Sequence, residues 1–285
     1  MGRALARRLM REHQFRTFDL RPEVLGRFAE FGAVPTQSAQ VLARKSEMVM
    51  ARLPTSVEVR DVLFGEGRVT EVLGPGQIVA DMTTGDPGET REMAARLAEK
   101  GVQMIDAPVS GGPHGANAGT IAIMVGAPAG LFARVKPILE TISPNIFHTG
   151  NVGTAHVMKL VNSVISAGVR AVAFEALVMG IKNGLSLETC TAVLQKGSAR
   201  SATTELALSK LLKGDFSVSF TLALMHKDVR LATKLGTDSA TPMVLANVVR
   251  ELFQTVINEH GADKDTQTLV KLFERNAGVA IAPRN

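Results

Sequence analysis

The sequence predicts an α/β protein in two parts, a doubly wound, mostly parallel sheet followed by an all-helical domain. Short apolar runs alternate with helical segments as far as Gly150, which is the pattern of strands and helices in a doubly wound sheet. From Thr154 to Phe273 the pattern is helical throughout. The change near Gly150 therefore predicts one domain over residues 1–150 and a second over residues 151–285.

Local patterns define the elements of the first domain. A basic amphipathic helix opens at Gly2, and another begins at Pro22, since proline is favoured in the first turn of a helix. The predicted strands are buried-type apolar runs: Gln14–Leu20, Met48–Leu53, Gln77–Met82, Val102–Pro108 and Thr120–Gly126. The helices between them are predicted over Pro22–Phe31, Ser56–Leu63 and Pro87–Lys100.

A long helix over Gly153–Gly184 opens the second domain and carries a polar stripe. Its polar residues fall at i, i+3, i+4 and i+7: Lys159, Asn162, Ser163 and Ser166. Its apolar residues are expected on a buried face: Leu160, Val161, Val164 and Ile165. The stripe is either a binding surface, since polar groups buried without partners are costly, or an ordinary solvated face. Further helices follow, with breaks near Gly184, Gly214, Gly236 and Gly261.

Composition argues against several functional classes. The 285 residues include neither tyrosine nor tryptophan, which excludes a dehydrogenase with a tyrosine acid and argues against a base-stacking nucleic-acid surface. A net charge of +5 favours anionic ligands. The six histidines lack metal-binding spacing and Cys190 is the only cysteine, so we expect no metal site and a cytoplasmic location. The apolar runs are too short to predict a membrane span.

Asp19 is the first candidate ligand residue. It ends a predicted strand at the position where a dinucleotide-binding fold offers a carboxylate to ribose hydroxyls. Such a carboxylate repels a 2′-phosphate and favours NAD over NADP, although Arg21 two residues later weakens that preference. Alternatively, Asp19 only caps the following turn.

The glycine-rich segment Asp106–Thr120 is the second candidate. It contains Ser110, Gly111 and Gly112 directly after a predicted strand. Consecutive backbone N–H groups in such a segment can bind an anion, for example a substrate carboxylate. The alternative is a flexible hairpin between strands.

Six segments together resemble the β-hydroxyacid dehydrogenase family, which includes 3-hydroxyisobutyrate dehydrogenase and tartronate semialdehyde reductase. They are MGRALARRL at the start, LPTSVEVRDVLFG (Leu53–Gly65), DMTTGDP (Asp81–Pro87), DAPVSGGPHGANAGTIAIMVG (Asp106–Gly126), GNVGTAHVMKLVNS (Gly150–Ser163) and LMHKDVRLA (Leu224–Ala232). The fourth segment and the lysine helix are the most specific of these.

The resemblance implies an NAD(P)-dependent oxidoreductase that interconverts a small 3-hydroxy acid and its semialdehyde by hydride transfer. It makes Lys159 the general acid/base. It assigns substrate binding to Ser110, Gly111, Gly112, Asn162, Ser163 and Phe220. It assigns cofactor binding to Gly2, Asp19, Leu53, Pro54, Thr84 and Lys227.

The resemblance also implies an architecture and an assembly. A Rossmann-type dinucleotide-binding domain would be joined by the long interdomain helix to a substrate and oligomerisation domain like the C-terminal domain of 6-phosphogluconate dehydrogenase. The ligand would lie in the cleft between them, and the protein would form a homodimer or homotetramer.

The chain departs from the family pattern at two places. Ser163 stands where family members often carry an amide, which affects substrate preference. Family sequences begin with a strand and a G-x-G turn, of which about ten residues are missing here, so a truncated or misassigned start is expected. The alternatives are a reductase for a semialdehyde or glyoxylate, and a catalytically silent protein of the same fold that binds an anion or a nucleotide.

Overall fold

The computed structural model describes residues 1–281, which form two compact units. The first unit comprises Met1–Lys159, and the second begins at Leu160. This division falls inside one continuous helix, whereas the sequence pattern changes near Gly150.

The first unit contains all the strands among the described residues, and they form two sheets. They are β1 (Arg16–Thr17), β2 (Val34–Pro35), β3 (Met48–Ala51), β4 (Ile78–Asp81), β5 (Gln103–Asp106), β6 (Val109–Ser110), β7 (Ala122–Gly126) and β8 (Ile146–Gly150). β1 and β2 pair in parallel, and the larger sheet has the order β3-β4-β5-β7-β6, with β8 also paired to β7. β3, β4 and β5 are parallel, whereas β7 is antiparallel to β5 and β6, so the larger sheet is mixed.

Helices cover both faces of the larger sheet, as a doubly wound sheet requires. The helices of this unit are α1 (Gly2–Leu9), α2 (Pro22–Ala29), α3 (Ala39–Arg44), α4 (Ser56–Phe64), α5 (Pro87–Ala98), α6 (Gly112–Ala118) and α7 (Ala129–Glu140). α1 and α7 share one apolar core with Ile105, and α4 and α5 share another with its neighbour Met104. Successive strand residues thus point to opposite faces. The predicted α/β architecture is confirmed.

One predicted strand of the first unit is much shorter than expected. The strand predicted over Gln14–Leu20 is reduced to Arg16–Thr17, because its partner β2 offers only two residues and Pro35 has no backbone N–H to donate. In the glycine-rich segment the alternative of a flexible hairpin does not hold, since the segment contains both β6 and the helix α6.

The described part of the second unit consists of helices joined by loops. After α8 (Thr154–Lys182), which spans the boundary, it contains α9 (Leu187–Leu194), α10 (Leu208–Leu211), α11 (Leu222–Asp238), α12 (Val244–His260) and α13 (Val270–Ala277). A π-helical turn precedes α10, and a 3-10 turn precedes α13. Phe174 of α8 and Phe253 of α12 lie fully buried in one apolar core.

α8 is less buried than the sequence suggested. Leu160 is buried, but the side chains of Val161 and Ile165 are 45% and 59% exposed in the single chain, so the expectation of a buried face was wrong for both. Among residues 1–281, α8 alone is long and apolar enough to cross a membrane, with a mean hydropathy of 1.8. Central helices of soluble domains meet the same criterion, which depends only on length and composition.

Candidate functional site

Asp106, the last residue of β5, forms hydrogen bonds with the start of α8. Its buried carboxylate accepts a hydrogen bond from the backbone N–H of Gly153 at 2.7 Å and from that of His156 at 2.8 Å. N–H groups in the first turn of a helix have no partners within the helix, and a carboxylate also suits the positive end of the helix dipole. Asp106 therefore fixes the first turn of α8 against the sheet.

His156 makes a second connection between this turn and the sheet. Its ring is fully buried, with Nδ1 2.9 Å from Thr90 Oγ1 and Nε2 3.1 Å from the carbonyl oxygen of Thr83. Nε2 also lies 3.9 Å from Oδ2 of the buried Asp81. Lys159 follows His156 by three residues, which is one helical turn. The lysine is thus carried by a turn that is hydrogen-bonded to the carboxyl ends of β4 and β5.

Gly126 provides the space that Asp106 occupies. A Cβ at this position would lie 2.3 Å from Oδ1 of Asp106 and 3.0 Å from the carbonyl oxygen of Asn151. We expect Gly126→Ala to displace the carboxylate and to lower the free energy of unfolding by about 1–3 kcal/mol, measured by urea denaturation. Gly130→Ala is the matched control, because a Cβ there meets no atom within 4 Å. Equal stability of the two variants would contradict this account.

The segment that follows β6 presents its backbone in an unusual conformation. Gly111 and Gly112 have φ angles of +129° and +64°, which favour glycine, and they turn the chain from β6 into α6. The hydroxyl of Ser110 makes no hydrogen bond within residues 1–281. The three residues that were candidates for binding a carboxylate therefore form one compact turn at the end of β6.

The cofactor candidates of the first unit follow the carboxyl ends of parallel strands. Leu53 and Pro54 come after β3, and Thr84 comes after β4. The backbone N–H of Leu53 donates to Thr83 Oγ1 at 3.2 Å, which joins these two loops. Ligands of α/β sheets bind at this end of the strands.

Asp19 lies beyond β1, and its carboxylate accepts three hydrogen bonds from Arg21. Arg21 donates through Nε at 3.0 Å, through Nη2 at 3.1 Å and through its backbone N–H at 3.0 Å. These hydrogen bonds, led by that of the side chain, lower the pKa of the Asp19 carboxyl. The Asp19 side chain is 28% exposed, so a ligand can still reach it.

Gly2 opens α1 beside Arg52, the residue that follows β3, so the start of this helix lies near the carboxyl end of that strand. A Cβ on Gly2 would lie 3.9 Å from Cγ of Arg52, so a basic side chain packs at the start of this helix. A helix N-terminus beside an arginine suits a phosphate group, and an exposed carboxylate suits ribose hydroxyls. The residues of the first unit thus fit a dinucleotide.

In the second unit the predicted residues Ser163 and Lys227 meet at one buried carboxylate. Ser163 Oγ donates to Asp228 Oδ2 at 2.9 Å, and Lys227 Nζ lies 3.1 Å from Asp228 Oδ1. Asp228 is 1% exposed and Ser163 is 3% exposed. The hydroxyl that replaces the family's amide is therefore bonded inside the unit. Asn162 is half-buried and makes no side-chain hydrogen bond within residues 1–281.

Phe220 is held in place by a carboxylate that the sequence analysis missed. Oδ2 of Asp265 accepts the backbone N–H groups of Ser219 and Phe220 and the hydroxyl of Ser219, and Oδ1 accepts the N–H of Gln267. Burial works to raise the pKa of Asp265, but these hydrogen bonds together hold it below its usual value. Asp106 and His156 were not predicted as functional residues either. The hydrogen bonds of Asp265, Asp106 and His156 join residues far apart in the chain, except for the bond from Gln267 to Asp265.

Comparison with known proteins agrees with the geometry. The family described as the NAD binding domain of 6-phosphogluconate dehydrogenase matches residues 1–150. The family described as the NAD-binding domain of NADP-dependent 3-hydroxyisobutyrate dehydrogenase matches residues 153–273. The chain is 33% identical to 2-(hydroxymethyl)glutarate dehydrogenase of Eubacterium barkeri, over 99% of this chain and 94% of that protein.

The chain belongs to the β-hydroxyacid dehydrogenase family. It is also 33% identical to 2-hydroxy-3-oxopropionate reductase of Escherichia coli, over 99% of this chain and 97% of that protein. The solved structure of 3-hydroxyisobutyrate dehydrogenase from Mycobacterium tuberculosis, with L-serine, has a TM-score of 0.86, 27% identity and 95% coverage of both chains.

The family assigns the chemical class. The protein is an NAD(P)-dependent oxidoreductase that acts on the hydroxyl-bearing carbon of small hydroxy acids. The relatives matched over 94% and 97% of their length are a dehydrogenase and a reductase, which supports an enzyme over the catalytically silent binding protein. Residues 1–281 contain no group of three or more His, Cys, Asp or Glu side chains that could hold a metal ion.

Proposed function

We propose that this β-hydroxyacid dehydrogenase uses Lys159 as its general acid/base on a small 3-hydroxy acid. The observation that supports this role most strongly is the double attachment of the preceding turn through Asp106 and His156. A lysine on an anchored turn is held in one position, and acid/base catalysis requires its Nζ within hydrogen-bond reach of the reacting oxygen.

Oxidation of the substrate removes a proton from its hydroxyl group and a hydride from the carbon that carries it. NAD(P), when bound, supplies the hydride acceptor in oxidation and the donor in reduction. In oxidation the neutral amine of Lys159 takes the hydroxyl proton as the carbon loses its hydride and the C–O bond becomes a carbonyl. In reduction the ammonium returns the proton to the developing alkoxide. Lys159 thereby prevents full negative charge from building on that oxygen.

The turn of Ser110, Gly111 and Gly112 would hold the substrate carboxylate. Gly111 is exposed in this turn, and the Ser110 hydroxyl has no hydrogen-bond partner within the described residues. Asn162, one turn after Lys159 on α8, would orient the substrate with its amide. Ser163 would act indirectly, through its bond to Asp228, and Phe220 would contribute an apolar contact.

Gly2, Asp19, Leu53, Pro54 and Thr84 would hold the cofactor. Asp19 would accept hydrogen bonds from the adenosine ribose, and Leu53, Pro54 and Thr84 would line the nicotinamide. Lys227 of the second unit is the remaining cofactor candidate, and its ion pair with Asp228 at 3.1 Å would keep it extended.

The hydrogen bonds from Arg21 to Asp19 should weaken the preference of the cofactor site for NAD over NADP. Without Arg21 the carboxylate would bond ribose hydroxyls more freely and would repel a 2′-phosphate more strongly. We expect Arg21→Ala to raise the ratio of the dissociation constants for NADPH and NADH about two- to fivefold, since exposed ion pairs have small energies. Fluorescence titration measures both constants, with Arg27→Ala as an exposed control from α2. A ratio unchanged from wild type would show that Asp19 and Arg21 do not contact the cofactor.

We also propose that the protein is a cytoplasmic homodimer or homotetramer. Ile165, Val172 and Met179 of α8 are 59%, 58% and 61% exposed and recur every seven residues, so they lie along one side of the helix. An exposed apolar stripe of this length suits association with a second copy. Light scattering would test this by the mass in solution.

Initial rates test the proposed function. NAD and NADP are each assayed at the nicotinamide absorbance band against 3-hydroxyisobutyrate and related hydroxy acids, and the reduced forms against the semialdehydes. We expect turnover with at least one pair. No turnover with any pair, in a protein that binds NADH, would contradict the proposal.

A further inference from the structure

Three polar residues form a ridge on α8 beyond Lys159. Asn162, Ser166 and Arg170 are spaced four residues apart, so their side chains lie above one another on the same side of the helix. All three are half-buried, and none makes a side-chain hydrogen bond within residues 1–281. Three polar side chains without a partner on one side of the helix leave hydrogen-bonding groups that water or a ligand can use.

Arg170 is the most unusual member of this ridge. Its Nε is fully buried and lacks a hydrogen-bond partner within the described chain. Burial lowers the pKa of its guanidinium, and the nearby charge of Asp265 opposes that shift. The Nε–H group has lost its hydrogen bonds to water without gaining another within the described chain, which is costly.

Asp265 offsets the positive charge of Arg170 but accepts no hydrogen bond from its guanidinium. The oxygens of Asp265 receive hydrogen bonds from Ser219, Phe220 and Gln267, and none from Arg170. The arginine therefore has a compensated charge together with a planar set of N–H donors available for another acceptor. Such a fork matches the two oxygens of a carboxylate.

We propose that Arg170 binds a second carboxylate of the substrate, so that the preferred substrates are dicarboxylic hydroxy acids. This inference rests on the proposed function, in which Asn162 of the same ridge orients the substrate. The side chain of a helical arginine leans toward the helix N-terminus, so that of Arg170 extends along the ridge toward Ser166 and Asn162. Phe220, held by the same Asp265 carboxylate, connects Arg170 to a second proposed substrate contact.

Calorimetric titration of the enzyme at saturating NAD tests the proposal with glutarate and valerate, two five-carbon acids that differ by one carboxylate. We expect wild type to bind glutarate more tightly. Arg170→Met should weaken glutarate binding about 10- to 100-fold and leave valerate binding within about twofold, as expected for loss of a charge-assisted hydrogen-bond pair. Arg170→Lys, which keeps the charge but loses the fork, should give an intermediate ratio.

The control is Arg200→Met, which removes an arginine of the second unit whose side chain is 68% exposed, and it should leave the ratio unchanged. If Arg170→Met does not fold, Arg170→Lys decides the question, since only a ligand contact needs the fork. The quantity compared is the ratio of the dissociation constants for valerate and glutarate. If this ratio is near one in wild type, or is unchanged in both Arg170 variants, Arg170 serves only as counter-ion to Asp265. Wild-type turnover of monoanionic 3-hydroxyisobutyrate tests the proposed function separately.

Discussion

Lys159→Met is expected to lower kcat for a 3-hydroxy acid by a factor on the order of 10²–10⁴. Methionine keeps an unbranched side chain on α8 but cannot take or return the hydroxyl proton. The anchors of the preceding turn, Asp106 and His156, are unaffected by the change. The dissociation constant for NADH, from fluorescence titration, and the midpoint of thermal unfolding should both remain close to wild type.

The matched control is Lys196→Met, which removes the charge of an exposed lysine in the second unit. It should leave kcat within about twofold, as for surface substitutions away from a site. If Lys159→Met kept the wild-type kcat, or lost cofactor binding together with activity, Lys159 would not be the acid/base group.

Asp265→Ala is expected to cause the largest loss of stability, about 3–5 kcal/mol in the free energy of unfolding. The change leaves the N–H groups of Ser219, Phe220 and Gln267 without their acceptor and removes a charge that offsets that of Arg170. Urea denaturation measures the difference, and Asp263→Ala is the control, because that side chain is 82% exposed. Equal losses in the two variants would mean that the hydrogen bonds of Asp265 contribute little.

The pH dependence of this contribution follows from the sign of the pKa shift. The pKa of Asp265 lies below its ordinary value of 3.8 in the folded protein, so the unfolded chain takes up the proton first as pH falls. Its stabilisation is complete well above pH 3.8 and is lost as pH falls through the lower, folded value. The stability difference between wild type and Asp265→Asn should therefore be constant from pH 7 to pH 5 and shrink below pH 3.8. A difference that grew on acidification would contradict the assignment.

Local signals in the sequence were sufficient for most elements of the fold. Thr55 and Glu58 form the capping box that starts α4, and Asp86 caps α5 ahead of Pro87. Those residues act within four positions of one another, so their effect can be read directly from the chain. β1 could not be predicted correctly, since the length of a strand depends on its partner, and here β2 offers only two residues.

The site was predictable only in part, because the contacts that position its residues depend on partners distant in the sequence. Lys159, Asn162 and the turn at Ser110 stand in recognisable segments. The contacts that hold α8 on either side of Lys159 join distant residues: Asp106 bonds His156 across 50 positions, and Ser163 bonds Asp228 across 65. Neither those contacts nor the lack of partners around Arg170 leaves a local pattern, because both depend on tertiary packing.

Transfer of deuterium is the most direct test of the central claim, that this enzyme moves a hydride between a hydroxy acid and a nicotinamide. The substrate is 3-hydroxyisobutyrate carrying deuterium on the hydroxyl-bearing carbon, incubated with the enzyme and NAD or NADP. The account predicts reduced cofactor that contains one deuterium from the substrate, together with the labelled semialdehyde. Reduced cofactor without deuterium, or substrate consumption without reduced cofactor, would contradict it.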